Sequence, residues 1–248
     1  MARATIILTA GHSDQKSGAV SPDGTIREAN VCLMLRDEIA RTLRGRGYTV
    51  VTDGPAGVNL SLNDAIKLAR NHVGPELELH LNAGGGTGVE AYALPTQAKF
   101  AATIAQVVAQ TLGLPLRGQA GWKDPSQSQH AKLGICNAGA VLLEVAFIDN
   151  REDMRRLFEY RQALADKLAG ELGAWADGVY AQSVPAQHPP SIRPASAQRP
   201  PSVRATSGGS AGCTGRAHSK RCAALRSGIG ASRGPACTAG TAAASRAA

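Results

Sequence analysis

Apolar and polar positions along residues 1–180 switch between a period near two and a period near 3.6, and the alternation predicts a layered α/β domain. Thr5–Thr9 reads as a first buried strand, Ile26–Arg46 as a helix ending at Gly47, and Tyr48–Thr52 as a second strand. Ser61 suits the N-cap of a helix running to about His72. Leu77–Leu81 forms a third strand closed by a turn at Gly84–Gly86, and Val89–Leu94 alternates as a fourth. Phe100, Ile104, Val107, Val108 and Thr111 share one face of a helix over Lys99–Leu112, with Pro115 closing that segment. Residues 114–130 read as a polar loop able to border a cleft. Lys132–Ile135 and Val141–Val145 are two more strands, and Asn150 caps a long helix from about Arg151 to Val179. The fold class is therefore α/β: a central, mostly parallel, twisted sheet of about six strands with helices on both faces.

This pattern stops near residue 180. The last acidic residue is Asp177 and the last aromatic is Tyr180. Nine of the 27 basic residues, and none of the 19 acidic ones, fall at 183–248, so residues 1–182 carry 18 basic against 19 acidic side chains. A tail of Ala, Ser, Gly, Pro and Arg buries too little apolar surface to offset its ordering entropy, and 183–248 reads as a disordered basic arm following a domain at 1–182. Its charge suits an electrostatic contact with an anionic envelope. It lacks the interleaved aromatics that stack bases, so no specific nucleic acid partner is expected. Cys213, Cys222 and Cys237 lack metal-type spacing, and Cys32 and Cys136 sit in apolar segments where a buried thiol is the default. No stretch approaches the roughly 20 apolar residues of a transmembrane helix. The first residues show no signal-peptide pattern, so the expectation is cytoplasmic synthesis and another route of exit.

Candidate chemistry gathers where four apolar runs end. His12 follows the first strand, Glu28 opens a helix, His80 lies within ELELHLNA and Glu144 within AVLLEVAF. Two imidazoles and a carboxylate suit a zinc ion, and a further carboxylate suits the water it activates. Three of the four fall near the carboxyl ends of strands, where ligands bind in such sheets. Glu28 heads a stripe with Cys32, Leu35, Ile39 and Leu43, so its carboxylate tops the face that packs on the sheet. Each residue also has a plainer reading. Either histidine alone is an ordinary core or surface side chain, and Glu28 alone is a first-turn carboxylate favoured by the helix dipole. Glu144, between Leu143 and Val145, is harder to explain structurally, because buried carboxylates need partners.

Taken together, these residues resemble the zinc-dependent N-acetylmuramoyl-L-alanine amidases of the amidase-3 type, found among bacterial wall hydrolases and phage endolysins. The likeness covers about residues 4–178: AGH at 10–12, Gly18-Ala19, Glu28, HLNAG at 80–84, GVEAY at 88–92 and LLEVAFIDN at 142–150. The resemblance implies that His12, Glu28 and His80 hold Zn2+ and that Glu144 is catalytic. It implies peptidoglycan as the substrate, cut between N-acetylmuramic acid and L-alanine. Thr9 stands where the family usually has aspartate, and Ser13-Asp14 where it has Gly-Gly.

On that reading Glu144 takes a proton from zinc-activated water and passes it to the leaving amine. Asn82 either fixes the loop after His80 or contacts substrate, and His130 is a solvent-exposed residue of the polar loop or one that approaches the cleft. The expected setting is phage-type host lysis, with action on the wall after holin-type release. Other readings are a zinc amidohydrolase or peptidase for different acylated peptides, a non-catalytic wall-binding module, or a nucleic-acid-associated protein working through its tail.

Overall fold

The structure is a computed structural model that describes residues 4–13, 15–72, 74–128 and 133–178. The chain divides into two units, Met1–Ile192 and Arg193–Ala248, and every described residue falls in the first. The basic arm, His130 and Lys132 lie outside the described residues.

Six strands form one sheet: β1 (Ile6–Ala10), β2 (Val50–Thr52), β3 (Glu76–Asn82), β4 (Glu90–Tyr92), β5 (Trp122–Lys123) and β6 (Val141–Phe147). Their order is β2-β1-β3-β6-β4-β5. All neighbours run parallel except β4, which lies antiparallel to β6. The expected mostly parallel sheet is therefore present. Among the described residues five α-helices accompany it: α1 (Glu28–Gly45), α2 (Leu62–Asn71), α3 (Ala98–Leu112), α4 (Gly134–Asn137) and α5 (Arg151–Ala176).

Strand alternation decides what each face of the sheet carries. Ile6, Leu8 and Ala10 of β1, Leu77, Leu79 and Leu81 of β3, and Val141, Leu143 and Val145 of β6 join the main core with α1, α3 and α5. The Glu28, Cys32, Leu35, Ile39 and Leu43 stripe of α1 is buried throughout, as its spacing requires. On the other face Leu142 and Tyr92 pack with Ala65 and Ala69 of α2 and with Ile135 and Cys136 of α4. The intervening positions of that second face are Glu76, Glu78 and His80 on β3, Glu90 on β4 and Glu144 on β6. One side of the sheet is thus an aliphatic core, and the other carries a run of acids ending in a histidine.

Local signals set the helix ends. The Ser61 hydroxyl accepts from Asp64 N–H at the start of α2, and Asn150 accepts from the N–H groups of Glu152 and Asp153 at the start of α5. Two expectations need correction. The segment expected as a strand at Lys132–Ile135 instead enters the single-turn helix α4 at Gly134. Ile135 and Cys136 are consecutive and both buried, which a helical turn against α2 permits and a one-sided strand does not. Conversely, the expected loop at 114–130 contains β5, fixed at the sheet edge by its pairing with β4 and by the Trp122 indole N–H donating to Ala93 O at 2.9 Å. None of the described helices is long and apolar enough to cross a membrane.

Glu76 is only 3% exposed, and its Oε1 has no hydrogen-bond partner. Burial, with the nearby charges of Glu78 and Asp53, pushes its carboxyl up to about 8. A carboxyl raised on folding stabilises the native state fully below its unfolded value and loses that contribution as pH rises through the folded one. Stability of wild type should therefore fall between pH 5 and 9. Glu76→Gln should match wild type near pH 5 and exceed it at pH 9 by on the order of 3 kcal/mol in urea unfolding; equal pH slopes for the two proteins would refute this assignment.

A candidate metal centre at the carboxyl edge of the sheet

The four residues singled out by sequence come from three strands or strand ends and one helix start, and three of them converge. One donor atom each from His12, Glu28 and His80 lies within 4.8 Å of the other two. The His80 Nδ1 is 3.0 Å from Glu28 Oε1, and the His12 Nε2 is 3.2 Å from Glu28 Oε2. The two imidazole rings meet edge to face, with centroids 5.1 Å apart. Glu144 sits directly opposite His80 in the β3–β6 register, and opposite Glu90 in the β4–β6 register. It lies in the middle of β6 rather than near its end, because that strand continues to Phe147.

Backbone demands explain the residues around these donors. His12 adopts a positive φ of 66°, an uncommon conformation for a residue with a side chain. Asn59 holds it there by donating from its side-chain amide to His12 O at 2.5 Å. Gly11 cannot carry a Cβ, because the His80 imidazole occupies that space. Glu28 reaches the edge of the sheet from the first turn of α1, and two backbone donors receive it: Leu81 N–H to Oε1 at 3.0 Å and Ala19 N–H to Oε2 at 2.9 Å.

Electrostatics bind the cluster into one unit. Burial alone would raise the Glu28 carboxyl, but hydrogen bonds from His12 and His80 outweigh it and hold the group well below the ordinary carboxylate range. Burial would lower His80, yet its contacts with Glu28 and Glu78 leave its imidazole well above the usual range. Glu144 is different: burial pushes its carboxyl up to about 7, with the His80 charge opposing the shift and the Glu28 charge adding to it. Its Oε2 is buried without a hydrogen-bond partner. A buried carboxyl poised near neutrality can take up and release a proton.

The donor set fits a zinc ion. Two imidazole nitrogens and a carboxylate oxygen are zinc ligands of the catalytic type, leaving a further position open. Neighbouring ligands of a tetrahedral ion with bonds of about 2.1 Å stand about 3.4 Å apart, close to the separations of Glu28 from both histidines. The negative charge of Glu28, buried to 3% exposure, is the kind of group a cation would offset.

Sequence reasoning missed several residues here. Glu90, 2% exposed, accepts from Asn82 and Tyr92 through Oε1 and pairs through Oε2 with Arg117 at 2.8 Å and Lys123 at 2.7 Å. Arg117 and Lys123 thus bring positive charge from the 113–124 segment to the strand beside Glu144. Asn82 donates to Glu90 Oε1 and accepts from Ala83 N–H. Glu78 touches the far side of the His80 ring, 3.0 Å from Nε2. The alternation in Glu76-Leu77-Glu78-Leu79-His80 placed it on the histidine's face, which was the available signal. Behind β1, the fully buried Arg36 pairs with Asp53 at 2.7 Å, and Asp53 in turn accepts from Ala10 N–H at 3.3 Å.

An aliphatic core on one face of a mixed sheet, with a His, Glu, His cluster at its carboxyl edge, defines an α/β protein with a candidate metal centre. The family model for N-acetylmuramoyl-L-alanine amidase matches residues 6–172, and the chain belongs to that family. A crystal structure assigned as N-acetylmuramoyl-L-alanine amidase from Neisseria meningitidis is 34% identical, with a TM-score of 0.61, covering 68% of this chain and 93% of its own. The N-acetylmuramoyl-L-alanine amidase of Clostridium difficile 630 is 18% identical, with a TM-score of 0.60, over 71% of this chain and 98% of its own. The catalytic domain of the CD27L endolysin, which targets Clostridia difficile, is 24% identical with a TM-score of 0.52, over 68% and 96% of the two chains. No curated protein matches the chain.

The Arg36–Asp53 pair supports the strand that presents His12. Arg36→Met leaves a buried carboxylate uncompensated and should destabilise the protein by about 3–5 kcal/mol, and adding Asp53→Asn should restore part of that loss. Urea unfolding of the single and double variants measures both effects; a double variant no better than Arg36→Met would contradict the pairing.

Proposed function

We propose that this chain is a zinc-dependent amidase that cuts peptidoglycan between the lactyl carbonyl of N-acetylmuramic acid and the L-alanine of the stem peptide. The observation carrying this reading is the convergence of His12, Glu28 and His80 within 4.8 Å, with Glu144 opposite His80 on the neighbouring strand. Family membership supports the amide as the bond attacked.

His12, Glu28 and His80 would hold the ion. When bound, zinc supplies a Lewis acid that polarises the amide carbonyl and lowers the pKa of water. Glu144 is the general base: its carboxylate accepts a proton from the attacking water. The same group then delivers that proton to the amide nitrogen as the C–N bond breaks, leaving a lactyl carboxylate and a free alanine amine. A site that burial holds near neutral pKa suits this double duty, since the group must accept and then release one proton. The two backbone donors on Glu28 keep its carboxylate fixed while the proton moves. Within the same proposal, the nine basic residues of 183–248 add attraction for an anionic envelope, and the reaction serves phage-type lysis.

Purified protein with one equivalent of zinc should release new alanine amino termini from wall sacculi without new reducing sugars. Glu144→Gln should keep its zinc and lose about 10²–10⁴-fold in rate. His80→Ala should lose both zinc and activity. Release of reducing sugars instead, or full activity in Glu144→Gln, would defeat the assignment. Salt-sensitive cosedimentation with sacculi, lost on removing 183–248, checks the contribution of the arm.

A further inference from the structure

His80 is gripped from both sides of its ring. Its Nδ1 faces Glu28 Oε1 at 3.0 Å, and its Nε2 faces Glu78 Oε1, also at 3.0 Å. A neutral imidazole carries one proton, on one nitrogen or the other, and only the bare nitrogen can bind a metal. Nδ1 is the nitrogen turned toward Glu28, itself one of the converging donors, so with Nδ1 on the ion the proton resides on Nε2. Glu78 supplies an acceptor for it.

Glu78 is itself held in place. It is 1% exposed, and its Oε2 accepts from the Thr9 hydroxyl at 3.1 Å. Thr9 is fully buried and is the register partner of Glu78 in the parallel β1–β3 pair, so both side chains stand on the same face of the sheet. The chain Thr9–Glu78–His80 thus runs across two adjacent strands to the back of the imidazole. Burying a carboxylate in this place is unfavourable unless it has a partner of matching charge or a strong donor, and the Nε2–H is that donor.

We infer that Glu78 is a positioning residue for the metal centre: by accepting the Nε2–H of His80 it fixes the tautomer and ring orientation that leave Nδ1 free to bind the ion, with Thr9 orienting the carboxylate. The inference rests on the zinc reading above. It adds a third carboxylate to the cation's surroundings without adding a ligand. Outer carboxylates of this kind raise the donor strength of the imidazole, and their loss weakens metal binding about 10–100-fold.

The test is zinc affinity of the full chain by competition with a chelator, using His80→Ala to subtract zinc held elsewhere, for example by tail cysteines. Wild type should bind one zinc that His80→Ala does not. Glu78→Ala should raise Kd about 10–100-fold. Glu78→Gln keeps an uncharged acceptor for Nε2–H and the side-chain volume, so it should fold and raise Kd by a smaller factor; Thr9→Val should do the same. Imidazole nitrogen NMR of the zinc-loaded protein supplies a readout that simple packing would not move. His80 Nε2 should appear as a slowly exchanging N–H in wild type and Glu78→Gln, and lose that protection in Glu78→Ala. If wild type binds a His80-dependent zinc and both Glu78 variants bind it equally well, with Nε2–H unchanged, the positioning role is overturned while the zinc reading stands. If wild type binds no such zinc, both fall together.

Discussion

The buried carboxylate of Glu28 is the interaction on which this molecule turns. Its two oxygens accept from Leu81 N–H and Ala19 N–H, and they lie 3.0 Å from His80 Nδ1 and 3.2 Å from His12 Nε2. Those partners belong to β3, to the loop leading into α1, and to the end of β1. A charge 3% exposed would be costly alone. Surrounded in this way, it ties a helix start to two strands and sets the distance between two imidazoles. The same bonds that make its burial tolerable define a cation-sized donor set, so the structural and chemical roles of Glu28 cannot be separated.

The sheet divides its labour between its faces. The aliphatic face under α1, α3 and α5 supplies most of the burial that holds the domain together. The opposite face carries Glu76, Glu78, His80, Glu90 and Glu144, with a much smaller apolar cluster beside them. Burial first, and the neighbouring acids after it, raise the carboxyls of Glu76 and Glu144, which works against stability. Compensation is local: Arg117 and Lys123 neutralise Glu90, Arg36 neutralises Asp53, and His80 pairs with Glu28. Glu76 and Glu144 each keep one buried carboxyl oxygen without such a partner among the described residues, and of the two it is Glu144 that stands opposite His80.

Much of this was legible in the amino-acid order, for identifiable reasons. Long periodic segments with caps, such as α1 with its buried stripe and α5 behind Asn150, follow from periodicity and capping alone. The four candidate residues stood out because charge interrupted apolar runs. What escaped was set by contacts between distant segments. A short run such as Leu133–Cys136 is apolar enough for strand or helix, and only its packing on α2 decides for a turn of helix. β5 has two residues and exists because β4 offers an edge. Glu78, Glu90 and the Arg36–Asp53 pair show nothing unusual in isolation; their roles appear only when β1, β3, β4 and α1 are side by side.

The most direct test of the central claim is X-ray absorption at the zinc edge on the full chain loaded with one equivalent of zinc. Five cysteines in the sequence make stoichiometry alone insufficient, since thiolates bind zinc as readily as imidazoles do. A centre built from His12, Glu28 and His80 gives a shell of nitrogen and oxygen only, at about 2.0–2.2 Å, with the outer-shell scattering of two imidazoles. Sulfur scattering near about 2.3 Å, or a shell containing fewer than two imidazoles, would contradict it.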